Sequence, residues 1–193
     1  MANGNRFLLL LVFSVLAVVA SAQQNPPSDI LVQRVGSLRH SDLPEMLEIG
    51  VIRVLVSPTR TDFFLDKGQA KGFSHDLLTA YRDDLVKQRS GKDRKLTIVF
   101  VPVPFDQLIP ALIAGKGDLI ASNFTITPER AEQVAFSDPY ISEVSEVIVS
   151  GPKSPQITSL ADLSGQELLV VDGSSYFTHA KALSEELAKS GKK

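Results

Sequence analysis

Two hydrophobic rhythms divide the chain. Ile52-Arg53-Val54-Leu55-Val56 is a short β-branched run closed by Ser57-Pro58, the mark of a strand. From Phe73 to Lys87 the rhythm changes. Apolar residues at 73, 77, 78, 81 and 85 keep helical spacing, and Ser90-Gly91-Lys92-Asp93 breaks it. Residues 66–72 between these two segments carry turn chemistry. Leu96 to Val101 reads as a second strand, Asp106 to Ala114 as a helix ended by Gly115, and Leu119 to Ala121 as a third strand preceded by Asp118. The order β-α-β-α-β predicts an α/β fold, a parallel sheet covered by helices. Upstream, Ser41-Asp42-Leu43-Pro44-Glu45 starts a short helix that ends near Gly50. Residues 23–40 are polar and weakly patterned, and they read as a leader.

The later half is organised differently. Thr127-Pro128-Glu129-Arg130 opens a helix, and Ser142 to Ser150 is extended with no helical period. After a loop at 151–155, Ser159 to Leu163 predicts a short helix and Leu168 to Val171 a strand. Gly173-Ser174-Ser175 then turns into a helix running to about Lys189. This is the start of a second α/β lobe joined by the 142–150 segment. A terminal βα unit lacks the neighbours a parallel strand needs, so the second lobe is expected to be truncated and residues 150–193 loosely held. The resulting division is 1–22, 23–47, a first lobe at 48–141, a crossing at 142–150 and a partial second lobe at 151–193.

The N-terminus changes the picture of location. One positive charge at Arg6, the apolar run Phe7 to Val19 and the small residues Ala20-Ser21-Ala22 have the layout of a signal peptide cleaved before Gln23. The other reading of that run is an uncleaved anchor helix. It is shorter than the roughly 20 apolar residues a span needs, so cleavage and a periplasmic location are expected. The balance of 20 basic and 22 acidic residues offers no basic patch for nucleic acid. With no cysteine in the chain, disulfides, thiolate metal sites and a lipid-bearing cysteine are excluded.

Candidate chemistry concentrates between Asp118 and Arg130, a strand, a polar loop and a helix start. Thr127 can cap, with Pro128 at the first helical position. The amides there favour an anion, and Arg130 carries a fork suited to a carboxylate. On spacing alone, Arg130 is equally readable as a surface residue beside a capped turn, and Gly173-Ser174-Ser175 as a plain helix cap. His40, His75 and His179 lack metal-ligand spacing, and Asp83-Asp84 and Glu185-Glu186 read as solvated helix faces. No phosphate loop and no G-x-S-x-G elbow occurs, and no cofactor is expected.

Four stretches carry a resemblance to a known family. They are Phe105 to Asp118, Ser122-Asn-Phe-Thr-Ile-Thr-Pro-Glu-Arg130, Phe136-Ser-Asp-Pro-Tyr140 and Gly72-Phe-Ser-His-Asp-Leu77. Together they resemble the family 3 extracellular solute-binding proteins of bacteria over about residues 48–185. The resemblance implies a non-enzymatic, two-lobed periplasmic-binding-protein fold of type II that closes on a small solute, mostly an amino acid. It implies that Arg130 clamps the ligand carboxylate, that Thr125 offers its N–H and hydroxyl, and that the Asn123 carbonyl meets the ammonium. Phe105 would pack on the ligand, and Gly173-Ser174-Ser175 would close from the second lobe. Arg60 stands near a position where many members have a tyrosine, which points to an acidic or larger ligand. The family's acidic partner for the ammonium belongs to a later part of the second lobe. The Ser57-Pro58-Thr59 loop is similar to a branch in which such a domain regulates a lytic transglycosylase domain. The implied partners are therefore a transporter permease or a fused transglycosylase domain.

Overall fold

A computed structural model describes residues 27–89 and 95–191. Three parallel strands form its sheet in the order β4 (Thr97–Pro102), β1 (Val51–Val56), β5 (Leu119–Ile120). Val51 pairs with Thr97 on one side of β1, and Val54 with Leu119 on the other. A central parallel strand has helices on both faces, and all six residues of β1 are buried. Alternation along β1 divides the core. Ile52, Val54 and Val56 pack with Met46, Phe63, Leu78 and Leu96, under α2 (Leu43–Ile49) and α3 (Phe73–Lys87). Leu55 faces the other way, onto Leu108 and Ala111 of α4 (Leu108–Ile113). The connections leaving β1 and entering β5 thus cover opposite faces. In open parallel sheets such an arrangement places a crevice outside the carboxyl ends of the strands.

Helix α3 starts where the chain folds back on the loop after β1. Phe73 N–H donates to the Thr61 carbonyl and Ser74 N–H to the Asp62 carbonyl, both at 3.0 Å. Gly72, at φ 117°, makes this approach possible, because a Cβ there would lie 2.3 Å from the Asp62 carbonyl oxygen. Between the two segments, β2 (Phe64–Asp66) and β3 (Gln69–Lys71) form a hairpin where the sequence reading has only a turn. Lys67 and Gly68 both take positive φ, as a two-residue hairpin turn requires.

Several expectations are corrected. Residues 27–36 of the expected leader form helix α1 (Pro27–Gly36). The Arg34 guanidinium donates to the Ile49 carbonyl at 2.8 Å, and Arg39 N–H to the Gly115 carbonyl at 3.1 Å, so residues 34–39 strap across the amino end of the sheet. The expected helix at 106–114 divides into a 3-10 turn (Phe105–Gln107) and α4. Helix α2 has no side-chain cap, and the Asp42 carbonyl takes the Met46 N–H instead. Leu168 to Val171 is no strand. It is unpaired and largely exposed, with Leu169 at 92%. A β-prone sequence needs a partner to complete its ladder, and none lies beside it among the described residues. The proposed signal segment 1–22 lies outside the described residues, as do 23–26 of the leader.

After β5 comes the short helix α5 (Pro128–Ala131), and beyond the crossing segment lie the 3-10 turn Leu160–Leu163 and α6 (Ser175–Lys189). Asp162 closes a capping box with Ser159, and hydrogen bonds from the Thr158 backbone and hydroxyl lead in lowering its pKa to about 2. Little apolar area is covered here. Val144, Val147, Val149, Leu160, Val171 and Phe177 are all exposed, and Ser175 is the one buried residue of α6. Ordering entropy is then poorly offset. Hydrogen exchange on the 193-residue chain as a monomer is expected to be slow in β1, β4 and α3 and fast over 165–190. Strong protection throughout 165–190 would contradict this account.

Candidate functional site

Loops at the carboxyl ends of all three strands approach one another: 57–63 after β1, 103–107 after β4 and 121–130 after β5. Arg130 is the centre of the last. Thr127 caps α5, its hydroxyl accepting the Arg130 N–H, and Pro128 occupies the first turn. This turn directs the Arg130 side chain back along its own loop, where Nη1 donates to the Thr125 carbonyl at 2.7 Å. Nη2 donates to the Gly173 carbonyl at 2.8 Å, a contact 43 residues away in sequence. The guanidinium lies 4.0 Å from the centroid of the Phe124 ring and 5.9 Å from that of Phe105. The two rings pack at 5.0 Å and form an apolar, quadrupolar wall for the cation.

Arg130 is 8% exposed, and no ion pair holds it among the described residues. Burial pushes the guanidinium below its ordinary pKa, with the Glu129 charge opposing. Glu129 itself is held below the usual carboxylate range. Its own backbone amide contributes most, followed by the Thr127 hydroxyl and, more weakly, by the Arg130 and His179 charges. A buried cation facing carbonyls and aromatic rings is an incomplete electrostatic arrangement, and an anion would complete it.

The later half of the chain reaches this centre through Gly173. It takes φ 70°, and a Cβ there would stand 3.1 Å from Asp106 Cα. Ser174 caps α6 by accepting the Phe177 N–H, and Ser175 hydroxyl lies 3.4 Å from Thr125 Oγ1 and 3.3 Å from Glu146 Oε1. His179 Nδ1 contacts the same Glu146 oxygen at 2.8 Å. Arg130, Thr125, Phe105, Ser174 and Ser175 are therefore gathered in one place. Asn123 sits two residues from Thr125 on the same loop, its Oδ1 accepting the Tyr140 hydroxyl and its N–H donating to Asp62 Oδ2 at 3.3 Å. Arg60 makes no hydrogen bond or ion pair with this group among the described residues. It is exposed and lines an open, mostly apolar groove with Pro58, Phe63, Phe64 and Pro102.

Four neighbours were not singled out from sequence. Phe124 stood between two polar candidates, and its aromatic type was the available signal. Asp62, Glu146 and Tyr140 gave no signal specific to a site, because their partners are 61, 33 and 17 residues away respectively.

Strand carboxyl ends that meet a helix N-terminus from the later half of the chain are the arrangement of a two-lobed, periplasmic-binding-protein-like α/β fold. The model of bacterial extracellular solute-binding proteins, family 3, matches residues 52–191, and the chain belongs to that family. It is 32% identical over 146 residues to a membrane-bound lytic murein transglycosylase F of Pseudomonas fluorescens, covering 75% of this chain and 28% of that protein. It is 36% identical over 97 residues to a probable histidine-binding protein of Neisseria gonorrhoeae, covering 50% of this chain and 32% of that protein. Among solved structures, an ancestral arginine-binding protein bound to arginine superposes with TM-score 0.61 and 35% identity, over 71% of this chain and 57% of that one. The chain thus spans about a third or less of these two relatives and under two thirds of that structure.

Proposed function

We propose that this chain is the ligand-grasping part of an exported amino-acid-binding protein, and that its ligand enters carboxylate-first onto Arg130. The observation that carries this reading is the buried Arg130 cation, which has no counter-ion among the described residues and touches Gly173 from the later half of the chain. A guanidinium has five N–H donors. The bonds to Thr125 and Gly173 use two of them. In this reading a carboxylate takes two of the remaining three as a fork, Phe105 packs on the ligand body, and the Asn123 carbonyl receives the ammonium. Closure of residues 173–175, hinged through 142–150, shields the pair from water. The first lobe is assigned to 48–141 and the second begins at 151. Calorimetric titration of the full-length gene product with a panel of L-amino acids is expected to give one-site binding for at least one of them. Absence of binding across the panel would reject the reading.

A second reading is favoured by the transglycosylase F relative, which matches three quarters of this chain. The binding unit would then regulate a murein-cleaving domain carried elsewhere in the same protein. Adding muropeptide fragments to the titration panel, and assaying the full-length product for peptidoglycan cleavage, separates a transport receptor from this module.

Export is proposed on the signal-like N-terminus. Mass spectrometry of periplasmic material is expected to find Gln23 as the first residue, whereas an intact Met1 in membranes would show an anchor.

A further inference from the structure

The Arg130 centre has a counterpart of opposite sign. Asp62, in the loop after β1, is 2% exposed. Both its carboxylate oxygens are held by neutral donors: Oδ1 by the Ser74 hydroxyl at 2.7 Å and Oδ2 by the Asn123 N–H at 3.3 Å. Among the described residues it forms no ion pair. A buried carboxylate without a cation is costly, and a neutral side chain could meet the same two donors in part. Hydrogen bonding to α3 and to the 123 loop therefore accounts for the position of Asp62 but not for its charge.

The charge lies against the loop that serves Arg130. Asp62 holds the N–H of Asn123, and two residues later the Thr125 carbonyl holds Arg130. The loop thus separates a buried anion from a buried cation, and neither has a counter-ion of its own in the described chain. Tyr140 and Phe73 flank the anionic end, with rings 5.4 Å apart and both half-exposed. The Tyr140 phenol is pushed above its ordinary pKa by burial and then by the Asp62 charge, so the carboxylate is felt at the open face of the loop.

We propose that Asp62 is a specificity-determining residue that supplies, from the first lobe, the negative charge selecting a ligand with an ammonium group beside its carboxylate. The inference rests on the amino-acid reading given above and adds the counter-charge for the ligand's other pole. Asp62 acts through Asn123 as a positioning residue. It fixes the peptide whose neighbouring carbonyl meets the ammonium, and its charge lowers the electrostatic potential there.

The test compares two probes that differ at that pole alone: L-arginine, and 5-guanidinopentanoate, in which the α-ammonium is replaced by hydrogen. Both are titrated into the full-length wild type, Asp62→Asn and Ser74→Ala. In the wild type L-arginine is expected to bind much the tighter. In Asp62→Asn this preference should fall by about tenfold, the scale of a unit charge acting over several ångströms of protein. Ser74→Ala removes a hydrogen bond to Asp62 but keeps the charge, so the preference should survive even if both affinities drop. If Asp62→Asn folds and weakens both probes by one factor, Asp62 is only a structural bracket and the proposal is overturned. If Asp62→Asn does not fold, Ser74→Ala decides. A retained preference supports the charge, and a preference that is lost despite the intact carboxylate overturns it. If the wild type binds 5-guanidinopentanoate as tightly as L-arginine, the ammonium is not selected and this inference alone fails. If the wild type binds neither probe but binds another amino acid of the panel, that amino acid and its α-deamino analogue replace the two probes with the same readings, and if it binds no amino acid the amino-acid reading fails and the inference with it.

Discussion

Replacing Arg130 with alanine is expected to weaken amino-acid binding by roughly 30-fold to several thousand-fold, because truncating one partner of a buried charge pair costs about 2–5 kcal/mol. The size follows from burial. Arg130 is 8% exposed and stacked on Phe124, so a carboxylate docked on it leaves water with no alternative donor of equal strength. Arg130→Lys should recover only part of the loss, since an ammonium cannot hold the Thr125 carbonyl, the Gly173 carbonyl and a carboxylate in one plane. Thr125→Ala should cost less than either. It deletes the hydroxyl that meets Ser175 but leaves the carbonyl that orients Arg130 and the N–H. Calorimetry on the full-length variants, with the ligand identified from the panel, checks the order. Binding by Arg130→Ala as tight as wild type would remove the clamp from the site.

How much of this could be read in the residues depended on whether the forces were local. Helix α3 shows the same bounds in sequence and in structure, Phe73–Lys87, because its apolar spacing and its glycine start are local features. Strand β1 is similar, since a five-residue β-branched run closed by Ser57-Pro58 is short and unambiguous. Arg130, Thr125 and the 173–175 turn stood out as motifs, and their convergence was legible through the family resemblance alone, not from spacing. Helix α1 escaped because a polar, proline-bearing stretch gave no strong periodic signal. Leu31 and Val32 are exposed, and its end is held by Arg34 on a distant carbonyl. Leu168 to Val171 failed in the opposite sense, having strand-forming residues without a neighbouring strand to pair with among the described residues. Asp62 was invisible for a third reason. Its meaning lies in Ser74 and Asn123, which the fold brings to it from 12 and 61 residues away.

The largest effect on stability is expected at the other end of the sheet. Arg53 points out of the middle of β1 and is fully buried, an unusual place for a guanidinium. Asp118, at the start of β5, makes it tolerable. The carboxylate accepts from Arg53 Nη2 at 2.6 Å, from Arg53 Nε at 3.2 Å, from the Arg53 backbone N–H at 2.7 Å and from Arg39 Nη2 at 3.2 Å. The Ser37 and Arg39 carbonyls take two more of the Arg53 donors, so the strap at 34–39 belongs to the same cluster. Two arginines share one carboxylate, and its loss leaves buried positive charge without compensation. Asp118→Asn is therefore expected to destabilise the protein by about 3–5 kcal/mol, a large share of the 5–15 kcal/mol typical of a domain. An asparagine would also turn N–H donors toward a guanidinium that has none to accept with. By contrast, Asp118→Asn with Arg53→Met removes charge of both signs and should recover part of the loss, the residue being Arg39. The pH dependence follows from the direction of the Asp118 shift. Burial alone would raise its pKa, but the hydrogen bonds from Arg53 and the charges of Arg53 and Arg39 reverse this and hold it below the ordinary 3.8. A carboxyl with a depressed folded-state pKa contributes its full stability above the unfolded value. It loses that contribution as pH falls through the lower folded value. Urea titrations at pH 7 and at steps below pH 3.8 should show wild type losing stability with acid, and Asp118→Asn losing less because this proton is already accounted for. Equal urea midpoints for the two proteins at pH 7 would mean that Arg53 is held by the strap carbonyls and not by Asp118.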